Sequence, residues 1–200
     1  MTTSLSRKSV SLVFLLGAVS STWSATRPEG LPADYRLQYE QNFDSKSSLN
    51  DFMMTDPSAW EWKKLQGNSC LALTGASKYE PPYRSPFNIA LIKGLKFKSF
   101  VLEVDVQQTG VKGTPIREYM KQYENAANAP GYNHRDHCFF FGYQDPAHFM
   151  YTHIAKAGDD HAHSVFEVNN AERVSIVDFR TFGADWGVEE WKKIRIVRNV

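Results

Sequence analysis

All six histidines of the chain lie between residues 134 and 163. The imidazole ring titrates near neutral pH, can accept or release a proton and is a common ligand of divalent metals. Histidines gathered this densely indicate a candidate site for proton transfer or for metal binding. The members of the group are His134, His137, His148, His153, His161 and His163.

His161 and His163 are the last two members of this group, and Asp159 and Asp160 immediately precede His161. In an extended chain, alternate residues point to the same side, so both rings would lie together. With imidazole and carboxylate as ligands, His161 and Asp160 could form half of a structural or catalytic divalent metal site. No zinc signature is matched closely, and the alternative is a polar loop whose histidines hydrogen-bond to the backbone.

Two aromatic and β-branched runs, residues 139–143 and 149–154, lie within the same stretch. Asp145 and Pro146 separate them in the order that a type I turn prefers. We therefore predict a β-hairpin. Its expected register pairs Gly142 with Tyr151, Phe141 with Thr152 and Phe140 with His153.

Side chains alternate along a strand, so the predicted hairpin has two different faces. We expect one face to lie on the core, with Phe139, Phe141, Tyr143, Met150, Thr152 and Ile154. The other face would be open and would carry Phe140, Tyr151 and His153. A tyrosine and a histidine side by side on an open face could together transfer a proton.

The rest of the chain consists mainly of short alternating runs at intervals of roughly ten residues, which is typical of a β-sandwich. The predicted strands are 36–43, 60–65, 69–74, 90–92, 100–107, 164–168, 173–177 and 191–197. A short helical turn is expected within 44–51. The pattern predicts an all-β fold, an antiparallel β-sandwich or jelly roll.

The N-terminus has the features of an export signal: Arg7 and Lys8, a short apolar run, and small residues up to Ala25. We therefore predict a signal peptide at 1–25, a linker at 26–35 and one β-sandwich domain at 36–200. That domain has an inserted loop or short helix at 110–133. The last strand ends at Val200 with no partner after it, which indicates truncation at the C-terminus.

Export predicts a secreted or periplasmic protein with no membrane span once the signal is cleaved. In an oxidising compartment Cys70 and Cys138 could form a disulfide, or they could be two buried free thiols. The net charge of +1 is not that of a chain that is basic as a whole, so no nucleic-acid partner is expected. We expect a monomer.

Several segments together resemble the concanavalin A-like lectin/glucanase superfamily. They are Tyr-Glu-Gln-Asn-Phe (39–43), Trp-Glu-Trp (60–62), Leu-Ala-Leu (71–73), Phe-Val-Leu-Glu-Val-Asp (100–105), the block 140–151 and Trp-Lys-Lys-Ile-Arg-Ile (191–196). The resemblance covers most of residues 36–197 and is nearest to secreted bacterial laminin-G-like or 3-keto-disaccharide hydrolase-type domains. It implies a concanavalin A-like jelly roll whose concave face meets a saccharide.

The chain departs from the glucanases of this fold in its acidic residues. Those enzymes carry alternating carboxylates on one strand as acid and nucleophile. Here Glu103 and Asp105 have the required spacing, but no third acid follows them. The two carboxylates are better interpreted as the polar face of an ordinary strand.

The resemblance thus implies a polysaccharide or oligosaccharide partner. A polysaccharide lyase would use Tyr151 or His153 to remove a proton, with Arg135 and Arg173 neutralising a uronate or sulfate. A hydrolase would use His163 with Asp160, with or without a divalent metal. In either enzyme Phe140 and His137 would help to bind the substrate.

Two hypotheses without catalysis stay open. In a lectin-like module, Phe140, Tyr151, Trp186 and the histidines would form only a binding platform. In a structural domain, a metal held by the loop would stabilise the fold.

Overall fold

The computed structural model of the chain describes residues 28–109, 136–184, 186–187 and 189–200, together with the backbone of residues 13–15. The strands are β1 (Val13–Leu15), β2 (Leu37–Tyr39), β3 (Phe52–Met54), β4 (Trp60–Leu65), β5 (Asn68–Leu73), β6 (Ala90–Ile92), β7 (Phe100–Gln107), β8 (His137–Asp145), β9 (His148–Ile154), β10 (Ser164–Asn169), β11 (Val174–Ser175) and β12 (Trp191–Arg198). The helical elements among these residues are two 3-10 helices, Lys46–Asp51 and Pro57–Ala59. The prediction of an all-β fold is confirmed.

The first sheet has the strand order β12-β7-β1-β2. β7 and β12 pair antiparallel, from Phe100 opposite Arg198 to Gln107 opposite Trp191. The last strand is thus paired along its whole length. β1 lies between β7 and β2, within the stretch that the sequence predicts as a signal peptide.

The carboxylates of Glu103 and Asp105 on β7 form ion pairs with the neighbouring strand. Arg195 Nε lies 3.2 Å from Glu103 Oε1, and Lys193 Nζ lies 3.5 Å from Asp105 Oδ1. Opposite charges facing each other across two strands stabilise their pairing. Both acids therefore contribute to strand pairing, which agrees with their interpretation as an ordinary strand face.

The second sheet, β11-β10-β9-β8, contains the predicted hairpin, which turns at Pro146 and Ala147. Next to the turn, Asp145 pairs with His148, which is the predicted register. Farther from the turn the pairs are Phe141 with Met150, Phe140 with Tyr151 and Cys138 with His153. The predicted partners of Phe141 and Phe140 are therefore wrong by two residues, and Tyr151, the predicted partner of Gly142, pairs with Phe140 instead.

A β-bulge in β8 accounts for this difference. Between the pairs Phe141–Met150 and Asp145–His148, β8 has three residues, whereas β9 has only Phe149. Gly142 begins the bulge with a φ of +61°, in the left-handed region that glycine adopts without strain. The two extra residues move every pair farther from the turn, and because the shift is even, the side chains of these pairs keep their faces. Tyr143, within the bulge, does not: it was expected on the face of Phe141, but its ring stacks on that of Phe149 with centroids 5.6 Å apart.

Most predicted strands are present close to their expected bounds. The predictions at 60–65, 90–92 and 100–107 match β4, β6 and β7, and the helical turn expected within 44–51 is the first 3-10 helix. The run at 36–43 forms only the short strand β2, and the run at 173–177 only β11. Strand β3, which pairs with β6, was not predicted.

Separate apolar clusters support the sheets. In the cluster beside the two-stranded sheets β3-β6 and β4-β5, the rings of Phe43 and Phe52 stack with centroids 6.0 Å apart, and Trp62 and Trp191 pack against them. Trp62 Nε1 also donates a hydrogen bond of 2.6 Å to the Phe43 carbonyl oxygen.

Among the described residues, no helix is long and apolar enough to span a membrane.

Cys70 and Cys138 are both free thiols, so the structure contains two unpaired cysteines and not the disulfide that was the other alternative. Burial raises the pKa of each thiol, and near Cys138 the carboxylate of Asp136 raises it further. A thiol whose pKa is raised stays protonated and is a weak nucleophile. Neither cysteine is therefore placed for covalent chemistry.

Some predictions concern residues that the structure does not describe. They include most of the signal peptide, the insertion at 110–133, His134 and Arg135. These stay predictions.

Candidate functional site

The face of the hairpin that carries Tyr151 is buried, and its prediction as an open face is wrong. Tyr151 is 0% exposed and packs with Phe149, Phe166 and Val168, which are also buried. Phe140 and Tyr83 pack against this group, whose rings we call the aromatic face. The opposite face is half-buried, and its Phe141 ring lies 6.1 Å from that of Phe100 in the first sheet.

Arg173, from the loop before β11, places its guanidinium on the aromatic face. Its Nη1 donates a hydrogen bond of 2.6 Å to the Tyr151 hydroxyl oxygen, and its Nη2 donates one of 2.8 Å to the His161 carbonyl oxygen. The guanidinium carbon lies 4.6 Å from the centroid of the Phe166 ring. Two hydrogen bonds and a cation–π contact fix the side chain, while part of it stays exposed to solvent.

The hydroxyl of Tyr151 is a proton donor rather than a base. Burial raises its pKa to about 12, although the hydrogen bond and the charge of Arg173 act in the opposite direction. At neutral pH the hydroxyl keeps its proton. Because it accepts its hydrogen bond from Arg173, its own proton is not used in that bond, so the geometry does not favour Tyr151 as the group that removes a proton.

His153 forms a buried pair with Asp136. Its Nε2 lies 2.7 Å from Asp136 Oδ2, and the two side chains are only 13% and 4% exposed. A carboxylate at Nε2 fixes the ring orientation and selects the tautomer that leaves Nδ1 free to accept a proton. Nδ1 is buried and has no hydrogen-bond partner among the described residues.

Both pairs meet at the ring of Phe166. The centroid of the His153 ring lies 6.0 Å from that of Phe166, and the centroid of the Tyr151 ring lies 5.5 Å from it. These rings lie on the side of the sheet opposite His137. The structure thus brings together three predicted site residues, Tyr151, His153 and Arg173, with Phe140 stacked 5.5 Å from Tyr151. We call these four residues, together with Asp136 and Phe166, the Phe166 site.

Asp136 was not predicted as a member of the site. In the expected register His153 would lie opposite Phe140, too far along the strand for Asp136 to reach it. In the observed register His153 lies opposite Cys138, two residues from Asp136. The glycine at 142, within an aromatic strand, was the signal of a bulge that could have revealed the pair.

His137, predicted to bind substrate, lies elsewhere. It belongs to the other face of β8, where its ring meets that of Trp186 edge-on with centroids 4.6 Å apart. Burial lowers the pKa of His137 to about 4, although the charge of Asp136 acts against this. The ring is therefore neutral at physiological pH and acts as a packing group.

This lowered pKa predicts that acid destabilises the protein. The unfolded chain binds a proton at His137 below about pH 6.5, whereas the folded chain does so only near pH 4, so stability falls as the pH drops through this window by up to about 1.4 kcal/mol per unit. Urea denaturation at several pH values measures the slope, which His137→Phe should reduce. His148→Gln is the control, and an equal slope in the His137 variant would contradict the assignment.

The predicted pair of His163 and Asp160 is not formed, so the hydrolase mechanism that joined them loses its basis. Asp160 Oδ1 instead accepts a hydrogen bond of 2.5 Å from Arg180. His163 Nδ1 accepts one of 3.3 Å from the Ala155 N–H, and its Nε2 lies 2.7 Å from Thr181 Oγ1. His163 thus ties two loops together.

The described residues contain no group of three or more histidine, cysteine, aspartate or glutamate side chains suited to a metal. His161 and Asp160, the predicted ligands, are both exposed, and Asp160 is engaged by Arg180. His148 likewise belongs to the hairpin turn, where its Nδ1 lies 2.9 Å from both carboxylate oxygens of Asp145. The described geometry therefore provides no support for the metal site.

Chemically, the Phe166 site combines a guanidinium for an anionic group, an oriented imidazole that can accept a proton, and a hydroxyl that can donate one. This is the set of groups required for general acid–base chemistry beside a carboxylate. No family model, curated protein or solved structure matches the chain.

Proposed function

We propose that this chain is a secreted carbohydrate-active protein whose Phe166 site acts on an acidic polysaccharide. We also propose that its antiparallel sheets form a jelly-roll sandwich of the concanavalin A-like type. The contact between Phe100 of the first sheet and Phe141 of the second supports this packing.

The observation that carries the proposal is the meeting of two polar pairs on one buried aromatic face. Withdrawing a carboxylate and an imidazole from water is unfavourable, and apolar side chains of the same size would often stabilise a core as well or better. A His–Asp pair and an Arg–Tyr pair around one ring are therefore better explained by chemistry than by stability.

The groups suit β-elimination from a uronate. Arg173 would bind the carboxylate and stabilise the negative charge that develops on it. His153 Nδ1 would take the proton from the carbon next to the carboxylate, with Asp136 stabilising the resulting imidazolium. As the glycosidic C–O bond breaks, the Tyr151 hydroxyl would protonate the leaving oxygen, and Arg173 would stabilise the tyrosinate.

A second candidate is a non-catalytic glycan-binding module. It is favoured by one observation, the complete burial of Tyr151, because a proton donor must touch its substrate. In this case Arg173 would bind an acidic sugar without cleavage.

A panel of acidic and neutral polysaccharides distinguishes the candidates. Cleavage is measured from the ultraviolet absorbance of unsaturated products and from new reducing ends, and binding from retention on immobilised glycan. The proposal predicts cleavage of at least one uronate polymer with formation of unsaturated ends. Retention without cleavage would establish the binding module. A protein that neither cleaves nor retains any polysaccharide of the panel would overturn the carbohydrate assignment.

Export and a monomeric state are further parts of the proposal. Cleavage near Ala25 would release β1 from the first sheet. The N-terminal residue of the exported protein tests the cleavage site, and sedimentation equilibrium tests the monomeric state.

A further inference from the structure

The loop that follows β11 exposes two phenylalanine rings. Phe179 is 83% exposed and Phe182 is fully exposed. The two rings are three residues apart on one loop, and large apolar side chains grouped on a surface usually mark a site of interaction. Neither ring belongs to the Phe166 site, so this loop calls for a separate explanation.

Hydrogen bonds attach this loop to residues 155–163. The Gly158 N–H donates to the Phe182 carbonyl oxygen and the Ala184 N–H to that of Ala155, each at 2.8 Å. The contact of His163 with Thr181 adds a link between side chains. The backbone around Phe182 is thus held in place before any ligand binds, which reduces the entropy lost on binding.

The two loops also approach closely at their glycines. A Cβ atom at Gly183 would collide with the Lys156 carbonyl oxygen, and one at Gly158 would lie 2.8 Å from the Thr181 carbonyl oxygen. Only glycine allows this approach at either position. The close packing supports a fixed arrangement of the loop that carries the rings.

A charged pair joins the same two loops, and its Arg180 lies between the two rings in sequence. Arg180 Nη2 donates to Asp160 Oδ1, and Asp160 is largely exposed. The guanidinium and the carboxylate present planar donors and acceptors to solvent beside apolar rings. Sugars combine the same two properties, because their C–H faces are apolar and their edges carry hydroxyl groups.

We propose that Phe179, Phe182 and the Arg180–Asp160 pair form a saccharide-binding platform. The rings stack on sugar faces and the charged pair binds hydroxyl groups. The platform holds a polysaccharide through residues outside the Phe166 site, so it extends the proposed carbohydrate function and in part rests on it. A purely apolar partner fits less well, because it would remove water from the charged pair without offering hydrogen bonds in its place.

The test compares the full-length protein with Phe179→Ala/Phe182→Ala for retention on the polysaccharide panel. Phe87→Ala is the matched control, since Phe87 is also an exposed ring, 55% accessible, but lies on the loop before β6. The platform predicts at least tenfold weaker binding in the double variant and unchanged binding in the control. Cleavage of a short oligosaccharide should be unaffected, because it needs only the Phe166 site.

The outcomes separate the two proposals. If the wild type binds a polysaccharide and the double variant binds it equally well, the platform is overturned. The Phe166 site is then unaffected. Phenylalanine-dependent retention without any cleavage supports the platform and overturns the enzyme. Wild-type protein that binds no glycan overturns both, and self-association abolished by the double substitution would identify the loop as a protein interface instead.

Discussion

Replacing His153 by glutamine is expected to lower the rate of uronate cleavage by about a hundredfold to ten-thousandfold, the usual contribution of a positioned general base. Glutamine can still donate a hydrogen bond from its amide nitrogen to Asp136 Oδ2, so the carboxylate keeps a partner. It cannot accept the substrate proton. The loss should therefore appear in kcat with the fold intact, measured by initial rates and circular dichroism.

His148→Gln is the matched control for this substitution. His148 also contacts a carboxylate, that of Asp145, but it does so at the hairpin turn. Its replacement should leave the rate unchanged. A His153→Gln protein that cleaves at the wild-type rate would show that the buried pair serves only the fold.

Replacing Tyr151 is expected to have the largest effect on stability. Its side chain is fully buried among aromatic rings, so Tyr151→Ala should lower the free energy of unfolding by about 3–5 kcal/mol, as truncation of buried aromatic side chains does. Tyr151→Phe retains the ring but removes the oxygen that accepts from Arg173. It should cost about 1.5–3 kcal/mol, the range for a hydrogen bond to a charged group.

Urea denaturation of the two variants measures both contributions. Val174→Ala is a suitable control, because Val174 is exposed on the edge strand β11 and its truncation should change stability little. Equal losses for Tyr151→Phe and Tyr151→Ala would contradict the role of ring packing. An unchanged Tyr151→Phe protein would contradict the importance of the hydrogen bond to Arg173.

The strands could be predicted from the sequence because their signals are local. Alternation of apolar and polar residues gave β4 and β7 their bounds, and Asp145 before Pro146 located the hairpin turn. The runs at 36–43 and 173–177 show the limit of this signal. They alternate equally well, yet each forms only a short strand, because pairing depends on neighbours that are distant in the chain.

The site was harder to predict because it depends on tertiary structure. Tyr151, His153 and Arg173 were predicted from their chemistry, and the structure brings them together. Which face is buried depends on Tyr83 and Phe166, which come from other parts of the chain and which alternation within the hairpin cannot reveal. Asp136 was missed because the bulge at Gly142 moves the register, and His163 was misassigned because its partner Thr181 lies in a distant loop.

The most direct test of the Phe166 site is whether a ligand reaches His153. Histidine ring resonances can be followed by NMR while a uronic acid oligosaccharide is added, with His153 identified by the signal that disappears in His153→Gln. The proposed function predicts that the His153 signal shifts on saturation, and that Arg173→Ala weakens this response. A His153 signal that stays unchanged while the saccharide binds would contradict the proposed function.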